Sequence, residues 1–171
     1  MTAALTPGRP FTGTERQLLE NTLQLHRCEL VAAVAGLSDA QARLRLVTSL
    51  TTPISLLKHC AAAERIWFQR TLAGRRLQDC TGLAVGGDRS FCVADNETLA
   101  QVIAEYAAAC ATSDEIAARH ALDDTAQHSI VGAVSLRFIY LGMIGEIARH
   151  AGHADILAEQ IRDTTDNTAP S

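Results

Sequence analysis

Four stretches of the chain carry apolar residues at helical spacing. The first runs from about Thr14 to Val34, with Leu18, Leu19, Leu23, Leu25, Leu30 and Val34 recurring near helical spacing and Gly36 placed to stop it. Ser38-Asp39-Ala40-Gln41 has the form of a reciprocal capping box, which predicts a short helical turn. Thr52-Pro53 opens the second helix: threonine can cap free amides, and proline at the first helical position lacks only an N–H that would be unpaired anyway. That helix is expected to reach Ala73, before Gly74. The third spans about Glu97 to His120 behind a cap at Asp95 or Asn96, with Leu99, Val102, Ile103, Tyr106, Cys110 and Ile116 as its apolar positions. The fourth starts near 133–135 and continues through Arg162.

This last helix has the clearest pattern. Leu136, Tyr140, Met143, Ile147, His150, Ala154, Leu157 and Ile161 follow alternating steps of four and three, the seam of a core-facing helix. Long helices with connections able to reverse the chain predict an all-α four-helix bundle. No run alternates regularly enough to predict a strand. The segment 74–94 holds four of the eleven glycines and shows no sustained period. It is expected to be a long loop between helices two and three, and loops of that length more often form a lid or pocket wall than idle connection. The domain plan is a flexible N-terminus over 1–12, one bundle over 13–162 and a frayed tail over 163–171.

Composition narrows the function classes. With 171 residues the chain is long enough to bury a core without disulfides or a structural metal. A net charge of −4 and the absence of a basic stripe argue against nucleic acid as a partner. Among 15 cationic residues every one but Lys58 is arginine, the bias of a GC-rich genome such as an actinobacterium's. The five cysteines are scattered, odd in number and without a C-x-x-C pair, which predicts reduced thiols and a cytoplasmic protein. No secretion signal and no membrane span is expected.

Candidate chemistry sits on the last helix. His150 lies within its apolar seam and Glu146 and His153 border it, and a carboxylate there costs several kcal/mol unless paired or bound to a cation. The i, i+4 spacing lets Glu146 and His150 converge on one ion, as in helical bundles that build metal sites between facing helices. On helix two, His59 belongs to the core-facing row Leu56, His59, Ala63, Ile66. If the two helices touch, His59, Glu146 and His150 offer two imidazoles and one carboxylate with open coordination positions. The alternative is structural: such Glu/His pairs also serve as ordinary helix-face pairing, and a lone core histidine needs no metal.

The stretch from Thr52 to Phe68 (TPISLLKHCAAAERIWF), with that from Glu146 to Leu157 (EIARHAGHADIL), resembles the DinB-like superfamily of bacterial metalloproteins, as does the lead-in Gly36 to Gln41. The Glu in E-x-x-x-H makes the chain most similar to the branch containing mycothiol-dependent maleylpyruvate isomerase. The resemblance extends from helix one to Arg162 and is weakest over 74–94. It implies a DinB-like four-helix bundle, commonly dimeric, with a divalent metal held by His59, Glu146 and His150; zinc is expected, with nickel or iron as alternatives. It further implies a mycothiol-like thiol as cosubstrate, presented as a metal-bound thiolate to an electrophilic small molecule in S-transfer or thiol-assisted isomerisation. The GC-rich composition agrees with mycothiol.

His153, one turn past the matched pair, is the candidate catalytic acid/base; a role as a partner to a metal ligand or as a rim residue stays open. Arg65, Arg137 and Arg149 are the candidates for holding a substrate carboxylate. Glu64 is expected to be a structural partner for an arginine, His26, His120 and His128 to be exposed, and Cys60, pointing about 100° around the helix from His59, not to ligate with it. The competing functions are metal-assisted hydrolysis and a non-catalytic metal- or ligand-binding dimeric bundle.

Overall fold

The computed structural model describes residues 12–166, with side chains described through 164. Four helices begin on the same local device. Thr14 caps α1 (Glu15–Val34), Ser38 caps α2 (Asp39–Ala42), Thr52 caps α3 (Pro53–Glu64) and Thr98 caps α4 (Leu99–Ala117). In each, the cap hydroxyl accepts from the backbone N–H three residues on, whose side chain accepts from the cap's own N–H. The third long helix therefore starts behind Thr98, not behind Asp95 or Asn96, because Thr98 and Gln101 complete both halves of the cap.

The long α5 (Leu136–Asp166) packs most extensively against α1, while α3 packs against both α4 and α5. Every residue of the predicted seam, from Leu136 to Ile161, is buried. The architecture is thus the expected all-α, DinB-like bundle. The last helix runs four residues beyond Arg162, into the segment expected to fray. Residues 1–11 and 167–171, the bulk of the two expected flexible ends, lie outside the described residues.

Three features differ from expectation. First, α3 does not continue as a regular α-helix but widens into a π-helix over Arg65–Leu72. Its buried polar side chains reach sideways into the following loop: Gln69 donates to the Thr81 hydroxyl at 2.8 Å, and the Thr81 N–H donates back to Gln69 at 2.9 Å. Arg70 donates to the Ala84 carbonyl at 2.9 Å. Gly82 lies over the Arg65 guanidinium at φ +139°, where an added Cβ would come within 2.7 Å of Cζ. Glycine is required there by both conformation and space.

Second, 74–94 is not a structureless loop. Pinned in this way, it forms two 3₁₀ helices, Leu77–Asp79 and Gly87–Phe91, and the second packs on α3. Third, the polar link before α5 is a β-hairpin, β1 (Thr125–His128) antiparallel to β2 (Gly132–Ser135), with Thr125 opposite Ser135. Strands of four residues are too short for alternation to stand out in sequence. Tertiary packing holds the hairpin: the His128 ring stacks on Trp67, centroids 4.7 Å apart.

One ion pair ties the helices together at depth. Arg27 of α1 donates twice to Glu64 at the end of α3, at 2.8 and 2.7 Å, and once to Asp114 of α4 at 2.7 Å. Glu64 is 0% exposed and Arg27 4%. Glu64 is thus the arginine partner expected of it, and its fork geometry suits guanidinium recognition. Among the described residues, no helix is long and apolar enough to cross a membrane.

Removing one member of a buried pair strands the other's charge. Glu64→Ala is therefore expected to lose roughly 3–5 kcal/mol of stability in urea unfolding. Glu15→Ala, which breaks an exposed pair with Arg137, should leave the midpoint essentially unchanged.

Candidate metal centre

The capped start of α3 sets the rotation of that helix, placing Leu56, Leu57 and Cys60 in the core and His59 at its edge. The α5 seam does the same for His150, which is 9% exposed, and leaves Glu146 half-buried beside it. Where α3 and α5 meet, the three side chains converge. His59 Nε2 lies 2.9 Å from Glu146 Oε1, and His150 Nε2 lies 3.2 Å from the same oxygen. The three candidate ligand atoms are all within 4.8 Å of one another, and no other such cluster of three or more occurs among the described residues. A tetrahedral zinc ion with bonds of about 2.0–2.1 Å separates its ligand atoms by about 3.3 Å, so the nitrogen–oxygen spacings are close to those of a ligated set.

The remaining atoms of the triad are also engaged. Arg149 donates to Glu146 Oε2 at 3.3 Å. The Phe91 ring stacks on His59 with centroids 4.2 Å apart and planes 12° from parallel. The Ser90 hydroxyl lies 2.8 Å from His59 Nδ1. Phe91 also lines a cavity of about 250 Å³ together with Arg43, Arg45, Leu50 and Ile54, although none of His59, Glu146 and His150 lines it. Within the segment 74–94, Phe91, Cys92 and Val93 line that cavity, while Ser90 and Phe91 cover His59.

Hydrogen bonding by His150 and His59 holds the Glu146 carboxyl well below its ordinary range, against the opposing effect of partial burial. Burial, with Glu146 and Glu64 nearby, pushes the Cys60 thiol well up. Cys60 and Cys110 are buried, whereas Cys28 and Cys92 are exposed and no disulfide occurs. No thiol of the chain joins the converging set.

The structure redistributes several candidates. His153, expected to border the buried seam, is exposed, because it lies on the outer side of α5; its Nδ1 is nevertheless 3.4 Å from His150 Nδ1. Of the three arginines, only Arg149 borders the triad. Arg65 is 2% exposed and bound to Glu105, and Arg137 is held by Glu15 and Asp123. The three histidines expected to be exposed are half-buried: His26 pairs with Glu29, His120 lies 3.5 Å from Asp124, and His128 stacks on Trp67. Ser90 and Phe91 escaped sequence reasoning altogether, since neither belongs to a periodic element; the glycines before them signalled only a turn.

A bundle of long helices that gathers two imidazoles and a carboxylate from its second and last members defines a DinB-like protein. The chain belongs to the Mycothiol-S-transferase family, whose model matches residues 18–163. That membership makes a mycothiol-related S-transferase the general class of the enzyme. No curated protein matches the chain.

Two outcomes follow from this geometry. A depressed carboxyl contributes stability that is fully present above its unfolded value, ordinarily 4.5, and is lost as pH falls toward the lowered folded value. In chelator-treated protein, the acid limb of stability against pH is therefore expected to be flatter in Glu146→Gln than in wild type, measured by urea unfolding below pH 5 or so. Native-state alkylation followed by mass spectrometry should label Cys28 and Cys92 rapidly and leave Cys60 and Cys110 unmodified until the protein unfolds.

Proposed function

We propose that the protein is a metal-dependent mycothiol S-transferase in which His59, Glu146 and His150 hold a divalent cation and a small electrophile receives the thiol sulfur. The observation that carries this reading is the convergence of three ligand atoms from two helices within 4.8 Å. The donor set fits such an ion: nitrogen and carboxylate ligands suit zinc and also admit nickel or iron, and three protein ligands leave positions open. A cation so held acts as a Lewis acid that lowers a thiol's pKa enough for it to be a nucleophile at neutral pH.

The chain's own residues supply the rest. Phe91 covers one face of the His59 ring. Arg149 engages the second Glu146 oxygen at 3.3 Å, while Oε1 faces both imidazoles. Between His150 and His153 one facing nitrogen donates and the other accepts. With His150 Nε2 as a ligand, the proton lies on His150 Nδ1, and His153 accepts it. His153 then keeps its own proton on Nε2. In the transfer, the sulfur forms a bond to the electrophilic carbon as the leaving group departs with its electron pair, and the thiol's proton passes to solvent. The cysteines do not supply the nucleophile, because the nearest, Cys60, is buried with its thiol held protonated.

The test joins metal content to turnover. Freshly purified protein is expected to contain about one divalent ion per chain and to conjugate mycothiol to monobromobimane in a chelator-sensitive reaction. His150→Ala should lose the ion, and its rate should fall by more than the roughly 10–100-fold typical of losing an outer partner of a ligand. Conjugation unaffected by chelator, or equal negligible metal in both proteins, would overturn the reading.

A further inference from the structure

Resting on the metal reading above, we infer that Ser90 is a positioning residue for that centre: its hydroxyl fixes the His59 tautomer and so prepares Nε2 to ligate. The inference starts from one proton. The Ser90 oxygen lies 2.6 Å from the Gly87 carbonyl and 2.8 Å from His59 Nδ1. A carbonyl can only accept, so the single hydroxyl proton is committed to Gly87. Toward His59 the same oxygen must then accept, which places a proton on Nδ1. A neutral His59 in this arrangement has its lone pair on Nε2, the atom 2.9 Å from Glu146 Oε1. Lone pair would face carboxylate oxygen at that distance, a repulsive contact relieved by a cation between them or by a second proton on the ring.

The surrounding fold makes this relay rigid. Ser90 is 1% exposed, so water does not compete for its hydroxyl. Gly87 has φ +67°, in the left-handed region where glycine carries no steric penalty, and the chain then runs as the 3₁₀ helix Gly87–Phe91. Within it, the carbonyl of Gly87 and the hydroxyl of Ser90 are brought together over three residues. Phe91, the next residue, stacks on the ring that Ser90 bonds, so one short helix fixes both the rotation and the protonation pattern of His59. Oriented imidazole ligands generally depend on such a partner at the second nitrogen.

The experiment measures zinc affinity by chelator competition, and the visible spectrum of the cobalt(II)-substituted protein, for wild type, Ser90→Ala and Ser90→Thr, each checked for folding by thermal unfolding without metal. Ser90→Ala is expected to bind zinc about 10–100-fold more weakly with an altered cobalt spectrum, while Ser90→Thr, which keeps the hydroxyl, stays close to wild type. Three results would overturn the inference: wild-type affinity and spectrum in folded Ser90→Ala, equal weakening in both variants, or a Ser90→Ala chain that no longer folds. The second assigns the effect to packing and the third to the fold. Wild-type protein that binds neither ion would sink the metal reading itself and Ser90's role with it.

Discussion

The packing of α3 against α5 is the constraint on which the site depends, because it brings one oxygen of a half-buried carboxylate to face two imidazole nitrogens. Glu146 Oε1 is within 3.2 Å of both rings, so small rotations of either helix would break the arrangement. Much of the surrounding structure serves to hold those rotations. The Thr52 cap sets the start of α3, the apolar seam sets the face of α5, and Phe91 with Ser90 closes over His59 from outside. Bundle packing places the side chains, and the loop then fixes their orientation.

Two of the polar clusters differ in character. Arg27, Glu64 and Asp114 form a satisfied cluster in which each charge has an opposite partner at 2.7–2.8 Å, and this unites α1, α3 and α4. The Glu146 cluster is of another kind: Arg149, a largely solvent-exposed cation, reaches only Oε2 at 3.3 Å, while Oε1 faces two imidazole nitrogens. A chain of this length does not need a metal to fold.

The π-helix following α3 connects these parts. By widening the helix, it lets Arg65, Gln69 and Arg70 reach the segment 81–84, and this anchors a loop that lacks an apolar pattern of its own. Widened turns of this type are common near functional sites. Here the consequence is direct, because the anchored loop carries the second 3₁₀ helix onto His59. Lys58, beside His59, adds further ties to Glu97, just before the α4 cap, and to Glu105 within α4, at 2.7 and 2.8 Å.

The sequence by itself determined the helices, the bundle and the converging pair on α5, since spacing, caps and seam are local properties that periodicity records faithfully. It also selected His59, Glu146 and His150 as a set, although their meeting depended on two helices touching. Only tertiary structure decided what surrounds them. The π-turn, the hairpin and the pinned loop arise from contacts between residues distant in the chain, which no local period encodes. For the same reason His153 could be placed near the seam but not on its exposed flank, and Ser90 and Phe91 could not be found at all. Helix faces follow from a repeat of 3.6 residues, but a loop's side chains are directed only by what they touch.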